Sequence, residues 1–243
     1  MFDAYTVANT RDRLEIMKKF VSNSVEVLFL EMADMDFEFD LEMLGIKDPV
    51  IKRRLIIPGD KTFMEFHYVL QVLFDWQSYH YFCFRPKPQD YSRIIADLKY
   101  EERFSDDEII DDARVVKIKE VFSPRRKVLY YNYDYGDNWL VKITLLHRHS
   151  KDIGLYCESA VGKAPPEDCG GVEGFKDLKK FFATEPHEEI DDDYRPWLGL
   201  EETETWDPYD VNVSGINAEL VRLNRLFFEE GPFVTRQPAD YLY

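Results

Sequence analysis

The chain has 243 residues, enough to bury a full core in one domain with an appended segment. Its 45% hydrophobic, 32% charged and 15% aromatic residues are typical of a folded protein and argue against intrinsic disorder. The formal net charge of −16 disfavours nucleic-acid binding, because that affinity comes largely from Lys and Arg that release counterions from phosphates. Eleven acidic residues against one basic residue in the segment 183–210 carry much of this charge.

The sequence predicts a cytoplasmic protein without membrane association. No apolar run approaches the roughly 18 residues that span a bilayer, and residues 1–10 lack the basic-then-apolar order of a secretion signal. The three cysteines form an odd count without a CxxC pair, which fits a reducing compartment better than a disulfide framework. The sequence leaves a homo-oligomer open, and the partner can be another protein or a small ligand.

The first half of the chain carries both helix and strand signals. Residues 10–21 have the apolar spacing of an amphipathic helix, whereas 37–43 and 50–57 are bounded by turn residues and are typical of paired strands. Thr62 and Glu65 form a capping-box pattern that predicts the start of a helix. Residues 79–84 then predict a strand that ends at Arg85-Pro86.

The second half is dominated by strand signals up to a glycine-rich loop. Strands are predicted at 115–121, at 127–135 and at 139–145, with the last two joined as a hairpin by Gly136-Asp137-Asn138. Gly170, Gly171 and Gly174 predict a flexible approach to a short helix at 175–182, and an amphipathic helix is expected at 216–228.

These elements favour the α+β class, because strands and helices do not alternate regularly. We expect a single compact domain at 34–230 of mixed, mainly antiparallel sheet with packed helices. An N-terminal helical extension at 1–33 and a C-terminal tail at 231–243 complete the predicted organisation.

The hairpin is the first candidate for chemistry. Asp134 and Asp137 flank its turn and could present carboxylates to a metal or a cationic group, but Asp at a turn also hydrogen-bonds its own backbone. Tyr133 and Trp139 could form a recognition surface, although aromatic residues on strands usually pack in the core. Both interpretations stay open at each position.

Two rigid prolines, Pro165 and Pro166, precede two adjacent carboxylates, Glu167 and Asp168. Proline fixes the backbone, so these carboxylates are positioned at low entropic cost. Paired carboxylates suit general acid-base chemistry or binding of hard cations. The alternative is a rigid surface turn in which Asp168 caps the glycine loop.

His67 lies in the predicted helix and His80 in the following strand, so the two could approach each other where helix and strand pack. Such a pair could ligate a metal. A helical histidine among apolar neighbours is more often a hydrogen-bonded core residue. No cofactor is predicted, and a divalent metal remains an option through these residues.

The motifs of several enzyme classes do not occur in the chain. There is no GxGxxG, no GxxxxGK[ST], no HExxH and no GxSxG, so nucleotide-phosphate binding, zincin and serine-hydrolase activities have no motif behind them.

Taken together, the motifs resemble the plasmid pRiA4b ORF-3-like family, whose members are often described as passengers of mobile elements. The resemblance runs from about Phe37 to Arg225. Its motifs are the Arg53-Arg54 pair, the helix with His67, the hairpin at 131–139 and the loop at 165–171, together with Trp197, Asp207 and Asn217. The resemblance implies a compact α+β fold and no established activity.

Three positions depart from the family pattern. Lys52 stands where the pattern has Trp, Val141 where it has His, and Ala164 where many members have Cys. A metal site that used this His or this Cys would be incomplete here.

The leading hypothesis is therefore a non-enzymatic binding or interaction protein. Its recognition surface would combine the hairpin end with the loop at 165–171, because no complete catalytic constellation can be assembled from the motifs. The alternative is a metal-dependent hydrolase or nuclease that uses the clustered carboxylates with His67 or His80. DNA binding through Arg53, Arg54 and the basic residues at 125–127 is a third interpretation, which the net charge opposes.

Overall fold

A computed structural model describes residues 35–103, 109–150, 153–183 and 194–230 of the chain. The predicted N-terminal extension at 1–33, with its helix at 10–21, and the predicted tail at 231–243 lie outside the described residues. Within the described ranges the fold is α+β, as expected, with a mixed eight-stranded sheet and four α-helices. The strands are β1 (Met35–Met43), β2 (Lys52–Pro58), β3 (Phe82–Arg85), β4 (Arg93–Ala96), β5 (Ile109–Asp112), β6 (Val128–Tyr133), β7 (Trp139–Ser150) and β8 (Tyr156–Val161). The helices are α1 (Phe63–Phe74), α2 (Ile118–Val121), α3 (Gly171–Ala183) and α4 (Val213–Glu230), with a 3₁₀ segment at Leu98–Arg103.

The strand order in the sheet is β5-β4-β3-β6-β7-β1-β2-β8. All neighbouring strands are antiparallel except β4 and β5, which pair in parallel at one edge. The predicted strand pair 37–43 and 50–57 is confirmed as β1 and β2, with Phe39 opposite Leu55. The longest strand, β7, lies at the centre of the sheet and connects its two halves.

One face of the sheet is apolar and packs under the helices. Alternate residues of each central strand point to this face, as in Phe37, Phe39 and Leu41 of β1, which are buried. The opposite face carries charged side chains that pair across strands, including Arg54 with Glu38 at 2.7 Å. This division into a buried and a polar face is typical of antiparallel sheets.

The predicted capping box is confirmed at the start of α1. The Glu65 backbone N–H donates to the Thr62 hydroxyl at 3.2 Å, and the Thr62 N–H donates to the Glu65 carboxylate at 2.7 Å. Two N–H groups that the helix leaves unpaired are therefore satisfied by side chains. The helix then buries Phe63 and Phe66 against the sheet, where Phe66 packs on Phe84 and Phe39.

The predicted hairpin is confirmed as β6 and β7, with Tyr133 opposite Trp139. Trp139, Val141, Ile143 and Leu145 share its buried face, as their spacing predicts. The predicted C-terminal helix is also confirmed, although α4 begins three residues earlier than expected.

The predicted strand at 115–121 is wrong, because these residues form a turn followed by the short helix α2. The Lys117 N–H donates to the Glu120 carboxylate at 2.9 Å, and the Phe122 N–H donates to the Ile118 carbonyl at 3.0 Å. Ile118 and Phe122 are buried four residues apart, as on a helix, whereas Val115 is exposed. The run of β-branched residues concealed this helical spacing.

Two predicted boundaries also need correction. Strand β3 begins at Phe82, three residues after the predicted start, and Ser78 before it has a φ of 58°. Helix α3 begins at Gly171, so Gly171 and Gly174 belong to its first turn and are not a flexible approach. A Cβ at Gly174 would lie 1.7 Å from the Cys169 carbonyl oxygen, so only glycine allows this close contact. Strands β4, β5 and β8 were not predicted.

Helix α4 packs against α1 and against the edge strand β8. The Asn217 side-chain amide accepts a hydrogen bond from the Cys157 N–H at 2.8 Å and donates one to the Cys157 carbonyl at 2.9 Å. None of the helices in the described ranges is both long and apolar enough to cross a membrane.

We expect Thr62→Ala to lower the free energy of unfolding by about 1 kcal/mol, because the N–H of Glu65 would lose its hydroxyl partner. Chemical denaturation of the variant measures the loss. Thr205→Ala, at an exposed position, is the control and should leave the stability unchanged. Equal stability of both variants would contradict a stabilising role of the cap.

Candidate functional site

The start of β3 and the end of β6 lie side by side, because Phe82 pairs with Tyr133 in the antiparallel ladder. The Asp134 N–H extends this pairing by donating to the Tyr81 carbonyl at 3.0 Å. His80, which precedes β3, is thereby placed next to Asp134, which follows β6. Strand pairing therefore determines this half of the site.

The loop at 165–171 is attached to the same end of the sheet. The Trp76 indole N–H donates to the Pro165 carbonyl at 3.0 Å, and the Gln77 backbone N–H donates to the Glu167 carboxylate at 2.7 Å. The Tyr133 hydroxyl donates to the other Glu167 oxygen at 2.8 Å. Glu167 therefore joins the loop to β6 and to the segment that follows α1.

The two segments meet at His80. Its Nε2 atom lies 2.9 Å from Asp168 Oδ1, 3.5 Å from Glu167 Oε1 and 3.7 Å from Asp134 Oδ2. We call these four residues, His80, Asp134, Glu167 and Asp168, the His80 cluster. The expectation that the hairpin end and the loop converge is met by these three carboxylates and one imidazole.

The electrostatics of the His80 cluster favour a cation. His80 Nε2 is shielded from solvent, yet no group in the described ranges forms a hydrogen bond with it in acceptable geometry. One ligand atom each from His80, Asp134 and Asp168 lie within 4.8 Å of one another. Three carboxylates at such distances repel one another unless a positive charge lies between them.

Asp137 has a different role from Asp134. Its carboxylate accepts a hydrogen bond from the Gly170 N–H at 3.1 Å, next to the first turn of α3, where a negative charge is favourable. Gly171 approaches so closely that a Cβ there would lie 2.9 Å from the Asp137 carbonyl oxygen. Asp134 both stabilises the turn and presents a carboxylate oxygen to the cluster. Its Oδ1 accepts from the Gly136 N–H at 2.8 Å, while its Oδ2 faces His80.

Residues 36–215 match the family profile described as plasmid pRiA4b ORF-3-like protein, about three quarters of the chain. The chain belongs to this family. The matched range includes the whole His80 cluster.

This pRiA4b ORF-3-like chain is similar to a relative and to a solved structure whose names assign no activity. It is 29% identical over 143 residues to the uncharacterized protein y4hQ of Sinorhizobium fredii, covering 58% of this chain and 70% of that protein. It is similar to the crystal structure of the protein of unknown function MM3350 from Methanosarcina mazei Go1. That match has a TM-score of 0.60 and 26% identity, and it covers 75% of this chain and 96% of the other.

Tyr133 and Trp139 of the pRiA4b ORF-3-like fold are buried and pack against Trp76, with ring centroids 4.9 Å and 6.3 Å away. Their rings therefore belong to the core, as the packing alternative predicts. Tyr133 also reaches the His80 cluster: its hydroxyl donates to Glu167, and its ring lies edge-on to the His80 ring with centroids 5.8 Å apart.

His67 lies in the core and not in the His80 cluster. Its Nδ1 contacts the Tyr131 hydroxyl at 2.8 Å, its Nε2 contacts the Ser78 hydroxyl at 2.7 Å, and its ring stacks on Phe82 at 3.8 Å. Gln71 donates to the Tyr131 oxygen, so the consistent assignment has Tyr131 donating to Nδ1 and Nε2–H donating to Ser78. Both ring nitrogens are occupied, and the proposed approach of His67 to His80 does not create a joint metal site.

Burial raises the pKa of two titratable groups around the cluster, Glu167 and Cys169. Desolvation raises the pKa of Glu167 above its usual range, although the hydrogen bonds from Gln77 and Tyr133 oppose this shift. Desolvation also raises the pKa of Cys169 to about 12, so its thiol stays protonated at neutral pH. A carboxyl group with a raised pKa at a cluster of polar residues is typical of functional sites.

The sequence interpretation missed Trp76 and Gln77, which position the loop. The structure shows their role through Asp75, which ends α1 in a left-handed conformation with a φ of 55° and turns the chain back toward the sheet. A groove beside the cluster, with a volume of about 740 Å³, was also missed because its walls come from four distant segments.

Burial of His67 lowers its pKa from 6.5 to about 3. The unfolded chain therefore takes up a proton below pH 6.5 that the folded chain refuses until about pH 3, and stability falls as the pH drops through this window. Between pH 7 and pH 5, we expect the free energy of unfolding of His67→Gln to fall by about 2 kcal/mol less than that of the native chain. Chemical denaturation at both pH values measures this difference.

His147→Gln is the matched control, because His147 is exposed on β7. This control should retain the native pH dependence. The same pH dependence in His67→Gln would show that His67 does not titrate as a buried neutral group.

Proposed function

We propose that the protein is a binding protein that holds a divalent metal ion at the His80 cluster. The support comes mainly from His80, Asp134 and Asp168, which offer one nitrogen and two oxygen atoms within 4.8 Å of one another. Ligands at about 2.1 Å from one ion are about 3 to 3.5 Å apart, so the side chains would close by about 1 Å on binding. The 2.9 Å separation of His80 Nε2 and Asp168 Oδ1 is already in this range.

The surroundings of the three groups support the same proposal. Asp134 and Asp168 have φ angles of 53° and 56°, conformations that Asp tolerates better than most residues. Asp134 is held by the Gly136 N–H, and the loop of Asp168 is held by Glu167 and Trp76. The carboxylates are therefore oriented before an ion arrives, which reduces the entropy lost on binding.

The choice of ligands favours Zn²⁺ or Mn²⁺ over Ca²⁺ or Mg²⁺. Imidazole suits the transition metals, whereas Ca²⁺ and Mg²⁺ prefer sites made of oxygen atoms alone. The protein would then act in the cytoplasm, where its three thiols stay reduced. An association with mobile elements, which the resemblance implies, stays a prediction.

We expect Zn²⁺ or Mn²⁺ to raise the melting temperature of chelator-treated protein. An ion at a hundredfold excess over its Kd stabilises the folded state by about 2.7 kcal/mol. Asp168→Asn and His80→Ala should each lower the affinity for the metal by at least about tenfold in calorimetric titration, because each removes a metal ligand.

Asp137→Asn is the matched control, since Asp137 lies in the same hairpin but contacts Gly170 and not His80. It should bind the metal with native affinity. Failure of Zn²⁺, Mn²⁺, Ca²⁺ and Mg²⁺ all to bind, or equal affinities in every variant, would rule out metal binding at this cluster.

Metal-assisted hydrolysis is the second candidate, and Glu167 favours it. Its Oε1 lies 3.5 Å from His80 Nε2, and burial raises its pKa, so it is placed to exchange protons beside the ion. Glu167→Gln keeps one carbonyl oxygen to accept from the Gln77 N–H, and its amide N–H can donate to the Tyr133 hydroxyl oxygen in place of the lost bond.

We expect the Zn²⁺- or Mn²⁺-loaded protein to cleave bis(p-nitrophenyl) phosphate faster than the metal alone, and Glu167→Gln to lose this activity while it retains the metal. A general base commonly contributes about 10² to 10⁴ in rate. Turnover no faster than that of the free ion would leave the non-enzymatic proposal standing and remove the hydrolase.

A further inference from the structure

A groove of about 740 Å³ adjoins the His80 cluster. It lies between the C-terminal end of α1, the loop at 165–168, the segment 197–212 and the first turn of α4. Its volume falls in the upper part of the range of about 300 to 1,000 Å³ found for sites of drug-sized ligands, and it is far too large for an ion alone.

The charged groups that line the groove are mainly acidic. Five carboxylates contribute to it, whereas the basic residues are Arg53 and Lys163. The five acids are Asp75, Glu167, Asp168, Asp210 and Glu219. Arg53 is buried, and its guanidinium is held by the carbonyl oxygens of Leu73 and Gly162. The five acids therefore outnumber the two basic residues of the lining even when both positive charges are counted.

Several of these acids are available to an outside group. Asp75 and Asp210 are exposed, and neither has an ion-pair partner within the part of the chain that the structure describes. Glu219 forms a surface ion pair with Arg222 at 3.1 Å, which water screens strongly.

Aromatic side chains accompany the acids. Trp197 and Tyr79 both line the groove and are 46% and 52% exposed, so their rings are accessible to a ligand there. Trp206 is buried beneath them, where its ring meets Phe175 at 5.7 Å. A tryptophan face beside carboxylates is the combination that binds an ammonium or guanidinium group on an aliphatic stem.

We infer that the groove binds a basic peptide segment of another protein, with a Lys or Arg side chain against Trp197 and its charge near Asp75 and Asp210. The volume accommodates several side chains, which favours a peptide over a single amine. The net charge of −16 adds a long-range attraction for basic partners. This inference goes beyond metal binding and does not depend on it.

The test uses a fluorescein-labelled octapeptide of alternating lysine and leucine, measured by anisotropy with the full chain. We expect saturable binding at low salt that weakens as the salt concentration rises, and no binding of the matched peptide of glutamate and leucine. Trp197→Ala and Asp210→Asn should each lower the affinity for the lysine peptide by about three- to fivefold.

Tyr156→Ala and Asp177→Asn are the matched controls, because both residues are exposed but lie outside the groove. They should keep the native affinity. Equal weakening by the controls, or none by the groove variants, would overturn the inference, because the peptide would then be held by net charge alone. Binding of the glutamate peptide would also overturn it.

Competition with free spermine tests whether the groove binds a peptide or a free polyamine. Displacement of the peptide only by millimolar spermine is expected for a peptide site, whereas tight spermine binding without any peptide binding would overturn the choice of a peptide. Thermal shifts with Zn²⁺ should stay unchanged in Trp197→Ala and Asp210→Asn, because neither residue belongs to the His80 cluster. Failure of the metal proposal and failure of the groove proposal can therefore be told apart.

Discussion

The carboxylate of Glu167 is the contact on which the arrangement of the site depends. It accepts hydrogen bonds from the Tyr133 hydroxyl in β6 and from the Gln77 backbone after α1, and so it joins three segments distant in sequence. Hydrogen bonds to a charged group contribute about 1.5 to 3 kcal/mol each, more than neutral ones. Without this attachment, the loop that carries Asp168 would lose the contact that ties it to both β6 and the segment after α1, and it would keep the Trp76 contact to Pro165 and the Asp137 contact to Gly170.

The fold class and the hairpin were predictable because their signals are local. A capping box, a turn of Gly136-Asp137-Asn138 and alternating apolar residues each depend on neighbours within a few positions. Strand β8 and the parallel pair of β4 and β5 were not, because distant partners stabilise these short strands. The sequence analysis placed the hairpin end and the loop at 165–171 on one recognition surface, but it could not decide which histidine lies there. That depends on packing, because both ring nitrogens of His67 are occupied by hydrogen-bond partners in the core and are not available to a ligand.

The His80 cluster and the groove share Glu167 and Asp168, so two different demands for positive charge meet at the same loop. A chain with a net charge of −16 repels itself, and clustered carboxylates concentrate this repulsion. The fold tolerates it because two prolines, the Trp76 indole N–H and the Gln77 backbone N–H orient the loop. Cations of either kind, an ion or a basic side chain, would relieve the same repulsion, which gives one physical reason for the composition of the whole region.

The amide of Asn217 completes the sheet at its β8 edge. Edge strands expose unpaired N–H and carbonyl groups that can template the addition of a foreign strand, and this hazard underlies much aggregation. At Cys157 both groups are satisfied by a single side chain that imitates the backbone of a ninth strand. Helix α4 therefore occupies the edge of β8 at Cys157, and a foreign strand could not form backbone hydrogen bonds with this residue unless Asn217 moved away.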